Sequence, residues 1–274
     1  MSKIINLSRR KFVWGMSCTC GASLMLPSCA DVAMSDRKQL KIFSDDYLYS
    51  KAFPAYENFK MNTKLVSNTT ESNKIVNIGL SIRDSINAYY ASRGEKNPTE
   101  NFQWEFVLVD NDEVINAWCM PGGKIAFYTG ILPIAKNDDG IASIMGHEIA
   151  HAVARHSAER MSTAILVDAG TYALENLILG QRLPSVSRQL RTYGLDLPFN
   201  RKQESEADYM GIIFSSLAGY DIKESYKIWE RMKEKRGAGP SEFFSTHPSP
   251  DNRIKDLNEK MNEVILDYPP LKIS

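Results

Sequence analysis

The chain predicts an α+β fold: mostly helices, with a small three-stranded sheet beside one strongly apolar helix. Three observations carry this. Apolar residues recur at helical spacing, as Ile75, Ile78, Ile82, Ile86 and Tyr89 over residues 71–92, and as Ile222, Tyr226, Trp229 and Met232 over residues 221–235. Three short runs, 102–109, 113–118 and 124–129, read as strands parted by turn chemistry at Asp110-Asn111-Asp112 and Pro121-Gly122-Gly123. Finally, Ile141, Ile144, Met145, Ile149, Ala150, Val153 and Ala154 make residues 141–154 a core helix, although two histidines and a glutamate lie inside it.

The elements follow in order. Residues 1–28 read as an export leader, with Lys3, Arg9, Arg10 and Lys11 ahead of a short apolar stretch. Ser8-Arg9-Arg10-Lys11-Phe12-Val13 has the form of a twin-arginine signal, and Leu26-Pro27-Ser28-Cys29 that of a lipobox whose Cys29 would carry lipid. A leader kept as an uncut membrane anchor is the alternative. Residues 29–70 are polar with scattered aromatics and are expected as a tether or partly ordered arm. Residues 71–266 form the expected main domain, of a size that fits one core. Within it a helix starts over residues 130–135, and Asp138-Asp139-Gly140 leads into the apolar helix. Residues 162–180 are apolar but contain Asp168 and Glu175, so they read as a buried helix that could line the cleft, since a membrane span needs about 20 nearly uncharged residues. Residues 183–200 are a candidate lid, residues 204–217 a helix, residues 237–248 a loop and residues 251–266 the last helix.

Composition excludes one class of partner. The chain has 33 basic and 33 acidic residues. The leader holds four basic residues and no acid, so without it 29 basic residues face 33 acidic ones, a formal charge of −4. Nothing there suggests nucleic-acid binding. Of the four cysteines, Cys18 and Cys20 belong to the leader and Cys29 to the lipobox, which leaves Cys119 alone, a strand cysteine with no nucleophile's partner and no disulfide framework.

The chemistry is concentrated in His147-Glu148-Ile149-Ala150-His151. Positions four apart on a helix lie about 40° apart around its axis, so both imidazoles project from one face and can grip one Zn2+. Glu148 stands beside the metal, where it can take a proton from a water the metal activates and pass it to a leaving amine. Such catalytic sites use a third protein ligand. The other histidines are His156 and His247. His156 falls about 180° from His147 if the helix continues, so it is expected in a structural role. A distant carboxylate is therefore expected. In Glu204-Ser205-Glu206-Ala207-Asp208, Glu204 and Asp208 share a helix face, whereas Glu206, about 200° from Glu204, points elsewhere. One of the pair would bind zinc and the other would accept the remaining N–H of a ligand histidine; spacing does not decide which.

Four blocks in order resemble the zinc peptidase family of the CAAX prenyl proteases and the HtpX-type proteases, with their bacterial periplasmic and lipoprotein relatives. They are residues 116–125 (NAWCMPGGKI), 146–160 (GHEIAHAVARHSAER), 201–211 (RKQESEADYMG) and 246–253 (THPSPDNR). The resemblance implies a zincin-like fold and one zinc per chain. It makes Glu204 the third ligand and Asp208 its hydrogen-bonding neighbour. It also places His247 and Arg253 near the reacting carbonyl, where His247 would stabilise the oxyanion and Arg253 would either contact the substrate or form a salt bridge. An edge strand holding extended substrate is expected after the turn, with Gly122, Gly123, Lys124 and Ile125 as candidates. The function implied is a zinc metalloendopeptidase of the cell envelope, exported to the periplasm or held by a lipid anchor, acting on unfolded or misassembled envelope proteins. The competing readings are a zinc-containing chaperone-like assembly factor and a zinc hydrolase of non-peptide substrates.

Overall fold

A computed structural model describes residues 28–165, 199–235, 242–247 and 253–271. Most of the leader (residues 1–27), most of the apolar stretch (166–180) and nearly all of the candidate lid (183–198) lie outside the described residues. The fold is α+β, as expected. A four-stranded sheet has the order β3 (Leu65–Val66), β4 (Glu105–Val109), β6 (Lys124–Tyr128), β5 (Ala117–Met120). β6 runs parallel to β4 and antiparallel to β5. Three of these strands match the expected runs, with the second shifted towards Met120. The fourth, β3, is only two residues long and left no readable pattern.

Two helices clamp the site. The first, α4 (Asp138–Val153), is capped by Asn137, whose side chain accepts from Gly140 N at 2.8 Å, and Asp138 and Asp139 favour its positive end. It stops where Arg155 adopts a positive φ of 59°, and a new helix, α5, covers residues 156–165 of the described chain. The second, α6 (Arg201–Leu217), starts three residues earlier than expected. Asn200 caps it, and Gln203 returns the bond to the cap backbone. The two helices touch at glycines: a Cβ on Gly146 would lie 2.6 Å from Gly211 O, and one on Gly211 would lie 2.9 Å from His147 N. This close approach brings the carboxylates of α6 to the histidines of α4. The long helix α2 (Thr70–Arg93) buries Ile75, Ile78, Ile82 and Ile86 against the same core, and the short α3 (Leu132–Ala135) precedes α4.

Two expectations need correction. Residues 29–70 are not a tether. They form a hairpin of β1 (Ser28–Asp31) and β2 (Lys38–Lys41), the helix α1 (Asp45–Met61) and β3. Val32 enters the main core, Leu48 packs against Ala158 and Met161, and Ala52 and Tyr56 pack against Met120. The buried stripe Leu48, Ala52, Tyr56 has helical spacing, but Pro54 inside the helix and aromatic residues on its other faces obscure it. Residues 242–246, expected as loop, form a short helix, α8 (Glu242–Thr246), after α7 (Glu224–Lys235) and before α9 (Arg253–Asp267). Among the described residues no helix is long and apolar enough to cross a membrane.

Candidate active site

His147, His151, Glu204 and His247 converge, all buried, with one donor atom each lying within 4.8 Å of the others. His147 Nε2 is 3.1 Å from His151 Nε2, 3.3 Å from His247 Nδ1 and 3.6 Å from Glu204 Oε2. Glu204 Oε1 is 3.4 Å from His151 Nε2 and 3.1 Å from His247 Nδ1. Ligands tetrahedral about zinc, at about 2.0–2.1 Å from it, stand roughly 3.4 Å from one another, so the spacing of these donors fits such an ion. The chemistry fits as well. Burial holds the His151 pKa well below its usual value, so the ring is neutral and offers a lone pair. Crowded nitrogen and carboxylate lone pairs need a cation among them.

The surroundings hold each donor in place. His147 Nδ1 lies 3.0 Å from Asp208 Oδ1, off the line of a well-formed hydrogen bond. Burial opposes protonation of His147, but the Asp208 carboxylate, with Glu204, raises its pKa overall. Burial likewise opposes ionisation of Glu204, yet His247 and Arg253 hold it well below the usual carboxylate range. Arg253 is itself almost fully buried. Its Nε donates to Asp208 Oδ2 at 2.6 Å, its Nη1 lies 2.6 Å from Glu204 Oε2, and its guanidinium covers the Trp229 ring at 3.7 Å. Of the two roles expected for Arg253 the geometry shows the salt bridge: it stands behind the carboxylates and clamps both, because a buried pair of carboxylates needs a buried cation.

Glu148 is buried beside the cluster. Among the described residues its Oε1 has no hydrogen-bond partner, and it lies 3.5 Å from His247 Nε2. Burial raises its pKa despite the opposing pull of His247 and His147, which suits a group that must accept and return a proton near neutrality. Cys119 is also buried. Burial first, and Glu148 second, push its thiol well above its ordinary value, so it stays protonated and unreactive.

The candidate substrate strand needs correction. Lys124 and Ile125 lie in β6, which is paired on both sides, and the carbonyls of Gly122 and Gly123 already accept from Gln103 and Glu105. Among the described residues the free edge is β5. Tyr128 N bonds to Asn116 O, and the alternation of an antiparallel pair then turns the backbone of Ala117 and Cys119 outward. Gly122 and Gly123, at φ 88° and 80°, make the hairpin turn that joins β5 to β6. A cavity of about 240 Å³ opens beside this turn, lined among others by Tyr49, Cys119, Gly122, His151 and Arg155.

His156 is not among the four donors, as expected, but for another reason. The helix breaks at Arg155, and the His156 ring turns back to lie 2.9 Å from His151, Nδ1 to Nδ1. Glu206 does point away from Glu204; it meets Arg37, a residue that no sequence motif singled out.

A model of peptidase family M48 matches residues 81–261. The mitochondrial metalloendopeptidase OMA1 of Schizosaccharomyces pombe is 40% identical over 166 residues, 60% of this chain and 48% of that protein. The OMA1 of Saccharomyces cerevisiae is 37% identical over 203 residues, 70% of this chain and 57% of that protein. The beta-barrel assembly-enhancing protease of Escherichia coli is 29% identical over 173 residues, 59% of this chain and 35% of that protein. The chain thus spans between about a third and just over half of the length of these relatives. Mitochondrial and bacterial envelope proteins both appear among them, so the prenyl-protease and HtpX-type branch is not singled out.

Proposed function

The chain belongs to peptidase family M48, and from that premise we propose that it is a zinc-dependent endopeptidase. The observation that carries this is the buried cluster His147, His151, Glu204 and His247 with Glu148 beside it. Zinc, when bound, supplies Lewis acidity, polarising a carbonyl and acidifying a water. Glu148 takes the proton and delivers it to the departing amine. Asp208 and Arg253 keep His147 and Glu204 in place. An extended peptide adds to the free edge of β5 through Ala117 O and the backbone of Cys119, the Ala117 N–H being taken by Asn116 Oδ1. His247 stands among the donors with Nδ1 and faces Glu148 with Nε2. It must therefore yield its place before a carbonyl can enter, after which it is a nearby donor for the oxyanion.

Backbone recognition at a strand edge suits unfolded or misassembled proteins of a cell envelope. The name of the Escherichia coli relative, a beta-barrel assembly-enhancing protease, supports that reading, as does the export-type leader. Cys29, exposed at the start of β1, is the proposed point of lipid attachment. The test is cleavage of casein by the zinc-loaded chain with and without chelator. Cleavage that chelator stops supports the peptidase. Casein that binds without being cut favours the chaperone-like assembly factor.

A further inference from the structure

His151 faces the donor cluster with Nε2 only. Its Nδ1 points the other way, 2.9 Å from His156 Nδ1, and His156 Nε2 lies 3.2 Å from Glu206 Oε2. Glu206 accepts from Arg37 Nε at 2.7 and 2.9 Å and from Ser35 Oγ at 2.9 Å. The other side of Arg37 meets Glu159, with Nη2 donating at 2.9 Å, and Gln203 donates to the same Glu159 oxygen at 2.8 Å. Ser35 and Arg37 belong to the turn between β1 and β2, far from the catalytic motif in sequence and outside the residues matched by the family model. His156 is fully buried, and Arg37 is only 11% exposed.

Counting protons gives this chain of contacts a direction. An ionised carboxylate only accepts, so His156 must carry its proton on Nε2. Its Nδ1 is then a lone pair, and His151 must meet it with an N–H on Nδ1. His151 Nε2 is left bare, in the one tautomer that can bind a cation at the cluster. The reverse arrangement would set Glu206 against a lone pair and place a proton on the nitrogen that faces the metal site. Arg37 fixes the carboxylate that starts this order.

We propose that Arg37, Glu206 and His156 are positioning residues that hold His151 in its metal-binding tautomer, so that the N-terminal hairpin is part of the catalytic unit. This rests on the reading of His151 as a metal ligand. His147 has a carboxylate directly behind it. His151 has an imidazole and then a carboxylate, the latter anchored by a segment more than a hundred residues upstream.

The test measures zinc affinity by chelator competition, together with the visible spectrum of the Co2+-loaded protein, for the full chain and for Glu206→Gln, Arg37→Met and Arg37→Lys. Glu206→Gln is expected to bind zinc about 10–100-fold more weakly and to shift the cobalt bands. Arg37→Met moves both readouts the same way by less, and Arg37→Lys recovers part of the loss. Zinc affinity and cobalt bands unchanged in Glu206→Gln overturn the proposal. Long-range 15N–1H NMR of the wild-type rings serves where a variant fails to fold. Nδ1–H on His151 with Nε2–H on His156 upholds the order, and Nδ1–H on His156 overturns it. Zinc binding that survives His151→Ala in an otherwise unchanged chain refutes instead the ligand role on which the proposal stands, a failure recognisable without any of the hairpin variants.

Discussion

The two motif histidines are supported in opposite ways. Behind His147 stand Asp208 and then Arg253, which also reaches Glu204 and covers Trp229. Behind His151 stand His156, Glu206 and Arg37, ending in the β1–β2 turn. The first support is short and fully buried, and it comes from α6 and the start of α9. The second is longer, its outer members are partly exposed, and it ties a separate N-terminal element to the site. One ligand is thus held by the catalytic core itself and the other by the way an outlying hairpin docks on it.

Unequal burial predicts unequal costs. Arg253→Met leaves Glu204 and Asp208 as buried carboxylates without their cation and should cost about 3–5 kcal/mol. Arg37→Met removes charged hydrogen bonds at a partly exposed site and should cost roughly 1.5–3 kcal/mol. Denaturant unfolding of both variants ranks them, and equal costs would break the comparison. Gly146→Ala acts on neither support but on the helix crossing that unites them. With Gly211 O only 2.6 Å from the added carbon, about 1–3 kcal/mol of strain is expected, along with weaker zinc binding as α6 is pushed back.

Acid should expose the outer support. Burial works against ionisation of Glu206, but hydrogen bonds from His156, Arg37 and Ser35 bring its pKa from 4.5 to about 2. A carboxylate depressed in the folded state contributes stability that is fully present above its unfolded value and is lost as pH falls through the folded one. The melting temperature should therefore fall between about pH 4.5 and 2, and less steeply in Glu206→Gln. The smallest effect is expected away from both supports: Asn137→Ala removes the cap of α4 and should cost about 1 kcal/mol, with zinc affinity unchanged.

The same contrast explains what the sequence made legible. His147, His151 and Glu148 could be placed relative to one another because all three ride on one uninterrupted helix, and the pairing of Glu204 with Asp208 follows from the same periodicity. A glycine in an apolar helix needs a reason, and the close approach of Gly211 O supplies one for Gly146. Periodicity failed where the helix stopped. Arg155 takes a left-handed conformation without being glycine, fixed by bonds to Asp45 and to Phe43 O from the N-terminal segment. His156 was consequently set on the wrong face. Edge and centre in the sheet were misjudged because the parallel pairing of β4 with β6 is a tertiary fact with no local signature. Arg37 looked like one charge among many, because its partners lie more than a hundred residues away.

The most direct test of the central claim is a paired determination of bound zinc and casein cleavage in Glu148→Gln beside the wild-type chain. About one zinc is expected in each protein, with cleavage lowered roughly 10²–10⁴-fold in the variant as the proton acceptor is lost. Cleavage at the wild-type rate, or a variant that no longer holds zinc, would contradict that claim.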